Sequence, residues 1–143
     1  MISFILKTLF VIWTLPNTCV GLLVGFAGTL FGGKWQFRRG CFEFYGGPVT
    51  WLLQKMPTGS GAIALTLGHT IFGQNLNCLD IARDHEHVHV KQYERWGPLF
   101  VPAYFLSSAY LWIQKKDPYR DNPFEVEAYA KATPTAKNSD NES

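Results

Sequence analysis

Arg83-Asp84-His85-Glu86-His87-Val88-His89-Val90-Lys91-Gln92-Tyr93-Glu94-Arg95-Trp96-Gly97 is the stretch on which the reading of this chain turns. It contains His-x-x-x-His with a glutamate directly after the first histidine, and it draws on three of the chain's 4 histidines. On an α-helix, steps of about 100° per residue leave His85 and His89 about 40° apart and one turn distant, so both imidazoles can face one ion. Glu86, offset by one residue, can then reach a water bound to that ion. Gln92 and Trp96 continue the stripe of His89. His87 points about 200° from His85 and reads as a supporting or surface group, not a ligand shared with it. A solvated polar helix face is the plain alternative for the whole cluster.

Outward from this stretch, the helix has a start and a stop. Asn75 or Asn77 can cap its beginning, and Gly97 followed by Pro98 ends it, which predicts a helix over about Leu79–Trp96. Before it, residues Ala62 to Phe72 read as one strand, with Gly68 marking a bulge or a close backbone approach and His69 an ordinary strand residue. The strand ending near Phe72 offers an edge to which an extended peptide could add. Lys34–Arg38 and Cys41–Tyr45 alternate polar and apolar residues across Arg39-Gly40, the pattern of a β-hairpin. Val49 to Lys55 predicts one or two helical turns, and Thr58 to Gly61 a flexible loop.

The chain of 143 residues has room for one core, and 47% hydrophobic against 17% charged residues is apolar for a small soluble domain. A net charge of +2 without interleaved basic and aromatic residues excludes a nucleic-acid partner. The 3 cysteines, Cys19, Cys41 and Cys78, are scattered and form no Cys-x-x-Cys, so neither a disulfide framework nor a thiolate metal site is indicated. Thr8 to Gly33 carries no charge and is long enough to cross a bilayer, which makes a lipid membrane the expected partner of residues 1–33. Pro16-Asn17 divides it, leaving three arrangements open: a kinked spanning helix, a re-entrant hairpin, or a helix pair against the membrane face. If it spans, Lys34, Arg38 and Arg39 put the motif on the cytoplasmic side. Pro98 to Ile113 is a second apolar run, too short to cross, read as a helix packed on the core or lying in the interface.

Near the C-terminus, Asn122-Pro123-Phe124-Glu125-Val126-Glu127-Ala128-Tyr129 reads as the start of a last short helix, with a carboxylate near its N-terminus. A hydrolytic zinc site uses three protein ligands, and an acidic residue on a later helix can supply the third. Glu125 and Glu127 point about 160° apart on a helix, both border the apolar side, and geometry alone does not choose between them. Residues 133–143 form a polar tail expected to be disordered.

With both motifs present, the chain resembles the gluzincin class of zinc metallopeptidases, and most of all small bacterial zincin-like domains with a His-Glu-x-x-His-x-x-Gln helix, here His85 to Gln92. The resemblance covers roughly Ala62 to Ala130. It implies an α+β zincin-like fold for residues 34–132, with a short β-sheet, a central motif helix and apolar N-terminal helices. It also implies Zn²⁺ held by His85, His89 and Glu125, with Glu86 as general base acting on a peptide or protein substrate at a bacterial inner membrane. Glu127, Gln92, His87, Asn122 and Tyr129 are the supporting or alternative residues. Many relatives have an acidic or amide residue where this chain has Tyr129, which leaves the support of the metal histidine open. Two other readings are carried: a metal-stabilised membrane domain without catalysis, and a membrane adaptor without metal.

Overall fold

The computed structural model describes residues 1–56 and 62–132; the loop expected at Thr58 to Gly61 and the tail 133–143 lie outside them. The fold is mixed α+β. A helix α1 (Ile2–Thr29) leads into strands β1 (Lys34–Arg38) and β2 (Cys41–Tyr45), helix α2 (Pro48–Gln54), strands β3 (Ala64–Leu67) and β4 (Thr70–Gly73), and helix α3 (Leu76–Trp96). A 3₁₀ turn (Gly97–Leu99) then joins helix α4 (Phe100–Ile113), and helix α5 (Pro123–Ala132) follows. The four strands lie in the order β1-β2-β4-β3, with β2 and β4 parallel and the outer pairs antiparallel.

Alternation along the strands sorts side chains to two layers. Phe42 and Phe44 of β2 meet Phe26 of α1, with ring centroids 6.0 and 5.1 Å away. Their neighbours Cys41 and Glu43 point the other way, Cys41 into a cluster with Ile71, Leu79 and Val90, and Glu43 onto Arg83 of α3. In β4, Thr70 lies under Gly21 of α1, while Gly73 lies under Leu79 of α3. The sheet is therefore a middle layer, with α1 and α2 on one face and α3 on the other.

Glu43 is fully buried and accepts from Arg83 Nε at 2.8 Å and Nη2 at 3.0 Å, and from Gln36 Nε2 at 2.6 Å. Burial alone would raise its pKa, but the Arg83 and Gln36 hydrogen bonds and the Arg83 charge hold it below the usual carboxylate range. The pair ties β2 to α3 two residues before His85.

α1 is one unbroken helix of 28 residues, about 42 Å long. The expected division at Pro16-Asn17 is not seen, and with it go the re-entrant hairpin and the helix pair. Pro16 removes one helical hydrogen bond but sits on the exposed side. Around it the helix is held from the other side: Asn17 Nδ2 donates to Gly97 O at 3.2 Å, and Thr14 Oγ1 donates to Tyr93 O at 3.3 Å. The buried residues of α1 are Thr14, Thr18, Gly21, Gly25 and Gly28, all small. A Cβ at Gly25 would stand 2.4 Å from the Phe44 ring, so the helix reaches the sheet only because that seam lacks side chains. α1 is long and apolar enough to cross a membrane, and only 17% of its most apolar window is buried.

The hairpin at Arg39-Gly40 stands as expected, both residues having positive φ (50° and 79°), as a two-residue primed turn requires. The single strand expected over Ala62 to Phe72 is instead the hairpin β3-β4, turning at Gly68-His69. Gly68 has φ +63°, and a Cβ there would lie 2.4 Å from Thr18 Oγ1, so it provides both a turn and a close approach. His69 is a turn residue: its N–H donates to Thr18 Oγ1 at 3.0 Å and its Nε2 lies 3.2 Å from Glu94 Oε1. Because β4 is interior, Phe72 offers no free edge; the outer strands are β1 and β3. α3 begins earlier than expected, at Leu76, capped by Asn75, whose side chain accepts from Cys78 N at 2.9 Å.

Replacing Glu43 with Leu leaves the buried Arg83 with only the half-exposed Asp80 as its partner and is expected to cost about 3 kcal/mol in urea unfolding. The double change Glu43→Leu with Arg83→Met should recover most of that loss, since an apolar pair of similar volume removes both desolvated charges.

Candidate metal centre

α3 and α5 bring His85, His89 and Glu125 together. One nitrogen or oxygen from each lies within 4.8 Å of the others, and this group can hold a metal ion. The contacts are closer than that limit. His85 Nε2 is 3.1 Å from Glu125 Oε2 and 3.2 Å from His89 Nε2, and His89 Nε2 is 3.4 Å from Glu125 Oε1. Ligand atoms around a tetrahedral Zn²⁺ with bonds of about 2.0–2.1 Å stand about 3.3–3.4 Å apart, so the donor set and its spacing fit that ion. The side chains are 14% (His85), 8% (His89) and 5% (Glu125) exposed, which keeps water from competing for them.

Each ligand candidate is placed by identifiable contacts. The helical one-turn step sets the histidine pair, with ring centroids 4.9 Å apart. Asn122 accepts from Phe124 N at 3.0 Å and so caps α5, and Pro123 follows at its first turn. Asn122 Nδ2 also donates to Tyr104 O at 3.1 Å and to Ser108 Oγ at 2.8 Å, fixing α5 against α4. Glu125, three residues past the cap, is thereby aimed at α3, and Tyr104 Oη donates to its Oε1 at 2.7 Å.

His89 is oriented by a chain of polar contacts. The fully buried Gln92 uses Nε2 to donate to Phe124 O at 2.9 Å and to Glu127 Oε2 at 2.8 Å. Its Oε1, 2.8 Å from His89 Nδ1, is left as the acceptor, so Nδ1 carries a proton and Nε2 faces the other two ligand candidates. Glu127, held by Arg95 and Lys131, belongs to this supporting chain, while Glu125 faces the histidines. His85 is placed by packing instead. Its ring lies 4.4 Å from that of Tyr129, and its buried Nδ1 has no hydrogen-bond partner among the described residues. Tyr129 thus does not supply the hydrogen bond of an acidic residue; its hydroxyl meets Tyr119 Oη at 3.2 Å.

Glu86 is buried under β3, where Thr66 Oγ1 donates to its Oε2 at 2.6 Å. Burial pushes its pKa up, against the pull of the His89 and His85 charges and the Thr66 bond. His87 faces elsewhere, lining a shallow cleft with Asp84, Val88, Lys91 and Lys131, and burial pushes its pKa down.

Thr66 and Tyr104 are site residues that the sequence reading did not single out. Tyr104 sits in an uncharged run in which Phe100, Tyr104, Ser108 and Leu111 recur at helical spacing, and that spacing was the available signal. Thr66 gave none, since its relevance depends on the unforeseen hairpin.

Comparison with protein-family models, with curated proteins and with solved structures gave no match.

With metal removed, burial would lower the His89 pKa, but the Glu125 hydrogen bond and the Glu86 and Glu125 charges raise it to about 9. Burial likewise opposes ionisation of Glu125, yet its bonds to His85 and His89 bring it down to about 2. The His89 contribution is full below its ordinary 6.5 and lost as pH rises through about 9; that of Glu125 is full above 4.5 and lost as pH falls through about 2. In chelator-treated protein the urea midpoint of wild type should therefore exceed that of Glu125→Gln most between pH 4.5 and 6.5, and the gap should close toward either extreme.

Proposed function

We propose that this chain is a membrane-associated, gluzincin-like zinc metallopeptidase, with Zn²⁺ held by His85, His89 and Glu125. The observation that carries this reading is the convergence of three ligand groups from two helices at 3.1–3.4 Å spacing, next to a buried glutamate in the motif position. Three protein ligands are the number used by catalytic zinc, with water or substrate completing the set. The layering supports the zincin-like comparison: a small sheet covers the motif helix, and a later helix delivers the acidic residue.

Zn²⁺ bound there would supply Lewis acidity and lower the pKa of a water it holds. Glu86, with Oε2 accepting from Thr66, is the residue to take that water's proton and pass it to the leaving amine. Gln92 keeps the His89 Nε2 lone pair aimed at the ion, and Glu127 keeps Gln92 in place. Tyr104 holds Glu125 through Oε1 and so limits its swing toward solvent. Of the two outer strands, β3 carries the Thr66 that touches Glu86, so an extended peptide chain is assigned to that edge.

α1 supplies the membrane association. Its outward face is large and apolar, and it is packed on the domain through Thr14, Thr18, Gly21 and Gly25. Cleavage as a leader would strip the cover from Phe44, which is wholly buried beneath Gly25 and Phe26. A second reading, a metal that only clamps α5 onto α3, is favoured by the low exposure of all three ligands.

Two measurements test these readings. Elemental analysis of tag-free protein purified without chelator should find about one zinc per chain in wild type and Glu127→Gln, and little in His85→Ala, His89→Ala or Glu125→Gln. If Glu127→Gln loses the ion and Glu125→Gln keeps it, the ligand assignment is wrong. Glu86→Gln should retain zinc and lose peptide hydrolysis by about 100-fold or more; hydrolysis undetectable in zinc-loaded wild type would leave the clamp reading.

A further inference from the structure

Gly97 ends α3 with φ +56°, and a Cβ there would collide with the indole of Trp13, so that ring of α1 lies directly on bare backbone. Asn17 donating to Gly97 O and Thr14 donating to Tyr93 O hold α1 at the same level. On the N-terminal side of these contacts a cleft of about 390 Å³ opens between the two helices, lined by Leu9, Phe10, Ile12, Trp13 and Arg95. That volume falls in the range of small-molecule sites, about 300–1,000 Å³. Four of the five lining residues are apolar side chains from little more than one turn of α1, and the fifth is a guanidinium at the end of α3. All five are exposed, so the cleft is reached from outside.

The guanidinium has donors to spare. Arg95 gives only Nη2 to Glu127, to Oε1 at 2.7 Å and Oε2 at 2.8 Å. Its Nη1 and Nε have no hydrogen-bond partner among the described residues. Glu127 is shared with Lys131, so this cluster of two cations and one carboxylate is positive by one. The apolar wall continues beyond the cleft. On a helix Ile2, Ile5 and Leu6 lie within about 60° of Leu9, while Lys7 points about 160° away from it. A free fork of N–H donors matches phosphate oxygens, and an uncharged helix strip matches an alkyl chain.

We propose that this cleft binds one anionic phospholipid, with its phosphate on Nη1 and Nε of Arg95 and an acyl chain along Trp13, Leu9 and Leu6. A neutral phospholipid carries the same phosphate but brings its own cation, which the positive cluster around Arg95 repels; the site therefore selects headgroups of net negative charge. α4 also exposes apolar residues, Phe105, Leu106, Tyr110, Trp112 and Ile113, and the cleft differs from that face in setting a guanidinium between its apolar walls. This inference rests on the membrane association proposed above and is independent of the metal.

The test titrates full-length protein in a neutral detergent with dioleoyl phosphatidylglycerol and, separately, dioleoyl phosphatidylcholine, read by native mass spectrometry. Wild type should take up one phosphatidylglycerol saturably and bind phosphatidylcholine about 10-fold or more weakly. Arg95→Gln should bring phosphatidylglycerol down to the phosphatidylcholine level, Arg95→Lys should restore part of the preference, and Lys116→Gln should keep the wild-type affinity. Because Arg95→Gln also unpairs Glu127, Leu9→Trp serves as a second variant: it keeps the cation, narrows the cleft and should weaken phosphatidylglycerol several-fold. A phosphatidylglycerol with a diazirine on one acyl chain should label residues 2–13 more than α4. Equal affinity for the two lipids, equal losses in Arg95→Gln and Lys116→Gln, or labelling concentrated on α4 overturns the proposal. Flotation with vesicles of pure phosphatidylcholine reads the membrane association separately. Flotation without selective binding sinks the lipid site alone, and failure of both sinks the membrane reading with it.

Discussion

The carboxylate of Glu125, lodged between two imidazoles one helical turn apart, is the contact on which the arrangement of α3, α4 and α5 depends. A carboxylate this buried is costly unless it is paired and hydrogen-bonded, and here it faces His85, His89 and Tyr104. Those three partners come from two elements, α3 and α4, and the carboxylate comes from a third. The Asn122 cap, Pro123 and the Tyr93–Phe100–Phe124 cluster are the means by which α5 enters at the right angle. The Glu125 carboxylate and the Glu86 charge favour a protonated His89 in the absence of an ion. The same atoms can serve as an ion pair or as a ligand set, and a metal bound there would displace that proton.

α3 can do this because its other contacts are settled on the sheet side. Arg83 with Glu43 fixes it to β2, Leu79 and Val90 bury against Ile71, and Thr66 holds Glu86. Successive positions of one helix thus serve different layers: Glu86 faces β3, while His85, His89 and Gln92 face α5. The apolar α1 completes the opposite layer through a seam of small residues, so most of its large side chains point away from the protein, Leu22 and Phe26 being the ones that pack on the core. Close approach of backbone to sheet is how a helix this apolar can bind a domain and still present a hydrophobic exterior.

Much of this was legible because it depends on local periodicity. The histidine pair, its glutamate, the Asn75 cap, the Gly97 stop and the hairpin at Arg39-Gly40 follow from spacing or from backbone chemistry that one residue type dictates. The β3-β4 turn was missed because Gly68 fits a bulge and a turn equally well, and its partner Thr18 is 50 residues away. Pro16 was read as a break because local propensity counts the lost hydrogen bond and cannot see Asn17 anchored on Gly97. Helix geometry left Glu125 and Glu127 equal and only the resemblance favours Glu125; the packing of α5 on α3 puts Gln92 beside one carboxylate and the histidines beside the other. Long-range polar pairs such as Glu43 with Arg83 leave no mark on a single sequence.

The central claim is a zinc ion held by two imidazoles and one carboxylate. X-ray absorption at the zinc edge, on tag-free protein purified without chelator, tests it most directly. The account predicts four nitrogen or oxygen neighbours at about 2.0–2.1 Å, with outer-shell scattering from two imidazole rings. Absence of zinc, a sulfur shell near 2.3 Å, or scattering from no more than one imidazole would contradict it.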